Sequence, residues 1–217
     1  MTYKDLERDP EIVYLIKRGN ENVLKLGYTE HGLRHAGWVA RRAGFIMKKL
    51  GYPRREVNLA EIAGFLHDIG NVINREHHEE AGALLAFQLL RERGMSFEDA
   101  VEVMVAIGHH HEENGDPVTP IAAALIIADK ADVHRSRVVR GEIATDIHDR
   151  VNYAATRSEV EVDPKGPTIA YKIEIDTEIS PVIEYFEIFT GRMLIASRAA
   201  RALGAGFQLW INGTRML

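Results

Sequence analysis

Phe65-Leu66-His67-Asp68-Ile69-Gly70 is the stretch that decides how this chain is read. An apolar run ends in an adjacent imidazole and carboxylate, and a glycine follows. Glycine just past a last turn stops a helix, because it enters the left-handed region without steric cost. Val57–Ile69 therefore reads as a helix that terminates at His67-Asp68. Burying such a pair is costly unless it is neutralised or holds a cation. Adjacent helical residues diverge by about 100°, yet both reach one ion if the helix end points at it. A solvated helix terminus is the plain alternative, so the other candidate ligands decide.

The chain has ten histidines, and eight of them fall between His31 and His111. Thr29 reads as the cap of a helix running to about Leu50, with Gly51 as its stop. On it His31 and His35 are four apart and share a face. His35 stands on the apolar stripe with Val39 and Ala43 and is the first candidate ligand. His31, one turn nearer the helix start, falls at the pocket mouth, where it would meet substrate; a surface histidine is the bland alternative. His78 opens the next helix, and Gly82 and Ala83 beneath it permit close packing. His109, His110 and His111 end a helix that Ser96 caps. Three successive histidines cannot face one site, so one or two are ligands. Asp129 ends Ile121–Ala128, the most buried-looking helix, where a carboxylate calls for a cation or a basic neighbour.

Only nitrogen and oxygen donors are offered. That set suits one or two divalent transition ions (iron, manganese, zinc, cobalt or nickel) better than magnesium alone. One ion can take His35, His67, Asp68 and Asp129. A second can share Asp68 and use His78, His110 and His111.

Working outward, Asp9-Pro10 starts a helix, and helices follow to about residue 150, including a basic amphipathic stretch from Lys130 to Arg150. After about residue 160 the pattern changes. Thr168–Asp176 alternates with Ile169, Tyr171, Ile173 and Ile175 on one face, as a half-buried strand does. Ser180-Pro181 opens a helix to about Leu203, and Phe207, Leu209 and Ile211 alternate again. The expected architecture is mainly α: a helical bundle over residues 1–158 and a small strand–helix–strand appendage over 159–217. Two strands alone are marginal. They must pack on the bundle or pair with a second copy, so a homodimer through them is an expectation.

The 217 residues carry 46% apolar and 27% charged side chains and a net charge of −5. No global basic field recruits nucleic acid. There is no cysteine, hence no disulfide, and a reducing interior is implied. Neither a leader segment nor a run of about 18 apolar residues is visible. A cytoplasmic protein away from the membrane is expected.

The ordered residues resemble the HD superfamily. Its H…HD…D pattern is carried by His35, His67-Asp68 and Asp129. The extended pattern of its binuclear members, H…HD…H…HH…D, is met through His78 and His110-His111. His110-His111-Glu112 with Gly115 is similar to a segment of the HD-GYP branch. That branch, however, reads HDIGK where Asn71 stands here, and its GYP signature is replaced by Gly115-Asp116-Pro117. The resemblance covers roughly residues 29 to 140. It implies an HD-domain helical bundle and a phosphohydrolase that cleaves a small phosphorylated substrate by metal-activated hydroxide. Asp68 would bridge the metals and orient the nucleophile; Lys130 and Arg135, just after Asp129, are the candidates to neutralise phosphate, with a solvated face or a subunit contact as the alternative for Arg135. Two alternatives carry the same residues: a di-iron oxygenase of the same superfamily, and a non-enzymatic signalling or scaffold module.

Overall fold

Asp9 accepts from the amides of Glu11 and Ile12, and Pro10 fills the first helical position. These start signals set α2 (Pro10–Lys25), which the short α1 (Tyr3–Glu7) precedes. The computed structural model describes residues 1–139 and 146–217. The helical part continues with α3 (Leu33–Lys49), α4 (Arg54–Leu66), a 3₁₀ turn at Ile69–Val72, α5 (His78–Glu92), α6 (Phe97–Gly108) and α7 (Pro120–Lys130). A second 3₁₀ turn at Arg135–Arg137 and α8 (Ile147–Ala154) lead into β1 (Ala155–Asp163), β2 (Thr168–Ile175), α9 (Val182–Ala202), β3 (Gly206–Ile211) and β4 (Thr214–Arg215).

Helix α7 is the axis of the bundle. Every residue from Ile121 to Lys130 is buried, and α3, α4, α6 and α9 pack around it. Small residues allow the closest approaches. A Cβ on Gly64 of α4 would stand 2.8 Å from the Ala40 Cα of α3. A Cβ on Gly70 would stand 2.0 Å from the His78 carbonyl oxygen and 2.6 Å from the Gly82 nitrogen. The glycine after His67-Asp68 thus lets the 3₁₀ turn lie directly on the start of α5.

The sheet has the order β1-β2-β3-β4. Its pairings are antiparallel, parallel and antiparallel in turn, with α9 crossing from β2 to β3. The alternation in β2 is realised: Ile169, Tyr171, Ile173 and Ile175 are all buried. The Tyr171 hydroxyl donates to the Ile127 carbonyl at 2.6 Å, and the Ser158 hydroxyl donates to the Ala131 carbonyl at 2.6 Å. Carbonyls of a last helical turn have no partner within the helix. The sheet supplies partners to the end of α7 that carries Asp129. A single apolar cluster runs from α1 to β3. No helix among the described residues is long and apolar enough to cross a membrane.

Three expectations change. Helix α3 starts at Leu33 with Gly32, not Thr29, at its cap, so His31 lies before the helix. Thr29 instead offers its carbonyl to the His31 ring at 2.6 Å. The stretch from Lys130 to Arg150 is not one helix: α7 ends at Lys130, residues 131–134 are irregular, and among the described residues the next α-helix begins at Ile147. Residues 140–145 of that expected helix lie outside the described residues. The break is set by Asp132, whose side chain binds Arg34 and His35 and whose carbonyl accepts from Arg137 at 3.0 Å. Finally, the tail has four strands rather than two. The strand β1 spans residue 158, and the pairing that two strands lacked is met by β1 and β4 within the chain.

Candidate metal centre

Helix ends bring the candidate ligands together. His35 comes from the first turn of α3, His67 and Asp68 from the end of α4, and His78 from the start of α5. His110 follows α6, and Asp129 lies in the last turn of α7. All six are buried. His35 Nε2 lies 3.2 Å from His67 Nε2, 3.3 Å from Asp129 Oδ1 and 3.6 Å from Asp68 Oδ2. His67 Nε2 is 3.3 Å from Asp68 Oδ2 and 3.6 Å from Asp129 Oδ1. Four ligands about 2.1 Å from a tetrahedral ion stand about 3.4 Å apart.

The ring orientations agree. The Nδ1 atoms of His67, His78 and His110 face the carbonyls of Gly64, Arg75 and Ile107 at 2.9, 3.0 and 2.6 Å. His35 Nδ1 faces Asp132 Oδ2 at 2.6 Å. Each Nδ1 must donate, which leaves Nε2 as the end that faces the site, the arrangement that metal-bound histidines use. Asp68 Oδ2 is buried with no hydrogen-bond partner. Its nearest polar neighbours are the His67 and His35 Nε2 atoms at 3.3 and 3.6 Å, and a cation at the centre of the set would complete it. The residues fit a divalent ion. His67, Asp68 and His110 form a second close group, adjoining the His35, His67 and Asp129 group.

The electrostatics favour ionised carboxylates. Burial opposes charge on Asp68 and Asp129. The His67 cation holds Asp68 well below the usual carboxylate range, and Lys130 with the His35 and His67 rings does the same for Asp129. Burial also opposes the His67 cation, but the two carboxylates outweigh it and raise its pKa to about 10. His110 is pushed well down by burial and by the nearby His67 and His78, so it stays neutral and able to bind a metal.

A cavity of about 790 Å³ opens beside these residues. His31, His78, His111, Glu112 and Asn152 line it, along with two cations, Arg75 and Arg192. Tyr28 and Phe189 supply aromatic walls, each with an arginine over its ring: Arg75 on Tyr28 and Arg192 on Phe189. His31 borders the cavity, and its ring is 5.6 Å from that of His35. His111 is at the wall, with its ring 5.3 Å from that of His78. His109 joins neither ligand group.

The two cations chosen from the sequence stand elsewhere. Lys130 is 4% exposed, and its ammonium is engaged by Glu112 Oε2 at 2.6 Å and Asp129 Oδ2 at 2.7 Å. Arg135 sits over the Tyr153 ring, off the cavity wall. Adjacency in sequence to Asp129 put Lys130 next to a carboxylate rather than next to the cavity. Sequence reasoning passed over Asp132, Arg34, Arg75 and Arg192. Asp132, three residues after Asp129, had a signal: a second acid just past a buried helix end. The arginines had none: Arg75 lies in an irregular segment, and Arg34 and Arg192 are single charged positions within α3 and α9.

A family model described as the HD domain matches residues 32–135. Residues 32–135 are an HD domain. The ribonuclease Y of Lawsonia intracellularis is 32% identical over 120 residues, covering 55% of this chain and 21% of that protein. The ribonuclease Y of Fervidobacterium nodosum is 29% identical over 178 residues, covering 81% and 31%. The chain therefore spans about a fifth to a third of these relatives. An uncharacterized protein of Methanocaldococcus jannaschii is 26% identical over 212 residues, covering 87% of this chain and 80% of that one. A solved structure of a predicted HD superfamily hydrolase from an uncultured Thermotogales bacterium shares 26% identity with a TM-score of 0.46, over 62% of this chain and 75% of that one. HD domains bind divalent metals, and the buried His/Asp clusters here could hold such an ion.

Proposed function

We propose that the protein is a metal-dependent phosphohydrolase acting on a small phosphorylated substrate. The observation that carries this reading is the unpartnered Asp68 Oδ2, placed 3.3 Å from His67 Nε2 and 3.6 Å from His35 Nε2 beside an arginine-bearing cavity. The ribonuclease relatives, by name, cleave a phosphodiester polymer, which supports phosphoester chemistry. The cavity volume falls in the range of small-molecule sites, about 300–1,000 Å³, and the net charge of −5 gives no general attraction for a polyanion.

His35, His67, Asp68 and Asp129 would hold the ion. A bound divalent ion lowers the pKa of water and polarises the phosphoryl oxygens. The chain's own residues supply the rest. Arg75, from the segment before α5, and Arg192, from α9, line the cavity and would neutralise the phosphate. Burial and the Arg137 cation hold His31 well below its usual pKa, so it meets the substrate as a neutral ring. With Nδ1 tied to the Thr29 carbonyl, its Nε2 is the end that can accept. Glu112, kept ionised by Lys130 despite burial, borders the same space.

Elemental analysis beside a panel of phosphomonoesters and phosphodiesters tests the proposal. Asp68→Ala should lose both bound metal and turnover, and full metal with full rate in that variant would refute it. Arg192→Ala should raise KM at least tenfold and leave metal content unchanged.

A further inference from the structure

The extended ligand pattern implies a second ion between Asp68 and His78, and Arg75 stands there. Its Nη1 lies 3.3 Å from His78 Nε2 and 3.7 Å from Asp68 Oδ1, and these two atoms are 3.4 Å apart. His78 Nδ1 donates to the Arg75 carbonyl at 3.0 Å, so its single remaining lone pair, on Nε2, accepts from the guanidinium. One imidazole lone pair serves an N–H or a metal, never both. An ion about 2.1 Å from both atoms on the Arg75 side would lie roughly 2 Å from Nη1, closer than any cation and N–H tolerate. The guanidinium is held from two other directions: Asn71 Oδ1 accepts at 3.3 Å, and Arg75 Cζ lies 5.3 Å from the Tyr28 ring centroid.

We infer that Arg75 is a built-in second cation, so that this chain binds one divalent ion tightly and its guanidinium replaces the other. The position after the HDIG stretch is consistent. Where the related pattern has a lysine, Asn71 instead accepts from an arginine four residues on. Arg75 has five donors, so those not spent on His78 and Asn71 can meet a phosphate. Asp68 then needs no bridging role: Oδ1 faces Arg75 and Oδ2 faces the ion. The inference rests on reading the cluster as a metal centre. It also bears on the di-iron alternative, which requires two ions.

Manganese stoichiometry is the test, by calorimetric titration and elemental analysis of the whole protein. Wild type should bind one manganese per chain. Arg75→Gln should bind two, or tighten a second site at least tenfold. Adding His78→Ala should return that variant to one. Arg75→Met, which keeps the stem, serves if Arg75→Gln fails to fold. Two ions of comparable affinity in wild type would overturn the inference, as would one ion in both Arg75 variants. Phosphoester turnover is assayed in parallel. A changed stoichiometry with no turnover in any protein defeats the proposed function alone, and turnover with unchanged stoichiometry defeats the Arg75 inference alone.

Discussion

Replacing Asp132 by asparagine tests the metal centre without touching a ligand. Asp132 Oδ2 accepts from His35 Nδ1 at 2.6 Å, and both side chains are 1% exposed or less. Arg34 clamps the same carboxylate with Nη2 at 2.7 Å and Nη1 at 3.2 Å. The arginine pair fixes the carboxylate, and the carboxylate fixes the tautomer and plane of His35. Asparagine is the same shape but offers one oxygen and one amide. With the oxygen toward His35 the tautomer survives and the charge is lost. With the amide toward His35 the ring must move its proton to Nε2, and the lone pair aimed at the site disappears. Loss of such a partner typically lowers metal affinity 10–100-fold, which is about 1.4–2.8 kcal/mol. Competition against a chelator, with manganese or zinc, measures it. Thermal melting of the ion-free variant separates weaker binding from a weaker fold. An affinity within twofold of wild type in a folded Asp132→Asn variant would refute the claim that His35 binds through Nε2.

Four further outcomes follow from the same geometry. Gly70→Ala drives a methyl to 2.0 Å from the His78 carbonyl oxygen; overpacking of this kind costs about 1–3 kcal/mol or more, so the urea midpoint and metal affinity should fall together. Tyr171→Phe strips the buried Ile127 carbonyl of its partner and should cost about 1–3 kcal/mol in chemical denaturation. Lys130→Met should lower metal retention and melting temperature while changing KM less than twofold, because its ammonium faces Asp129 and Glu112; a tenfold rise in KM at constant metal content would place it on the substrate instead. Metal binding at pH 8 should release about one proton, because His67 in the ion-free protein titrates at about 10. The sign is fixed: the ion displaces that proton, so affinity rises with pH and levels off above about 10. Calorimetry in buffers of different ionisation enthalpy reads the number, and zero would contradict the carboxylate-paired His67.

What the sequence made legible and what it hid divide along physical lines. His67, Asp68, His110 and Asp129 each follow a long apolar run, and a polar group at such a helix end stands out because burying it is costly. His35 was legible from its stripe, and β2 from its period of two. His31 was placed beside His35 by a helix that does not reach it: its position comes from the Thr29 carbonyl and from Asn20, whose side chain accepts from the His31 amide at 2.8 Å. The strand β1 was missed because only Ala155 and Val160 in it are fully buried; Arg157, Glu159 and Glu161 give it the look of a solvated connector. Arg75 and Arg192 were invisible for a related reason. A long cation reaches its target through a flexible stem, so its position in the chain says little about where its charge ends up.

The cations found only in the structure explain how the ligands tolerate burial. Two of the buried carboxylates, Asp68 and Asp129, are divided between a resident cation and the site. Asp129 gives Oδ2 to Lys130 and turns Oδ1 to the histidines. Asp68 turns Oδ1 to Arg75 at 3.7 Å and leaves Oδ2 without a hydrogen bond. Asp132 is spent wholly on Arg34, Arg137 and His35. A carboxylate pinned on one oxygen by a fixed cation stays ionised and keeps its other oxygen aimed whether or not a metal is bound. Breaking one such pair leaves an uncompensated charge, which costs about 3–5 kcal/mol, and that penalty holds the helix ends in register. The fixed cations thus hold the helix ends in register, and an ion at the centre would displace the His67 proton and complete Asp68 Oδ2.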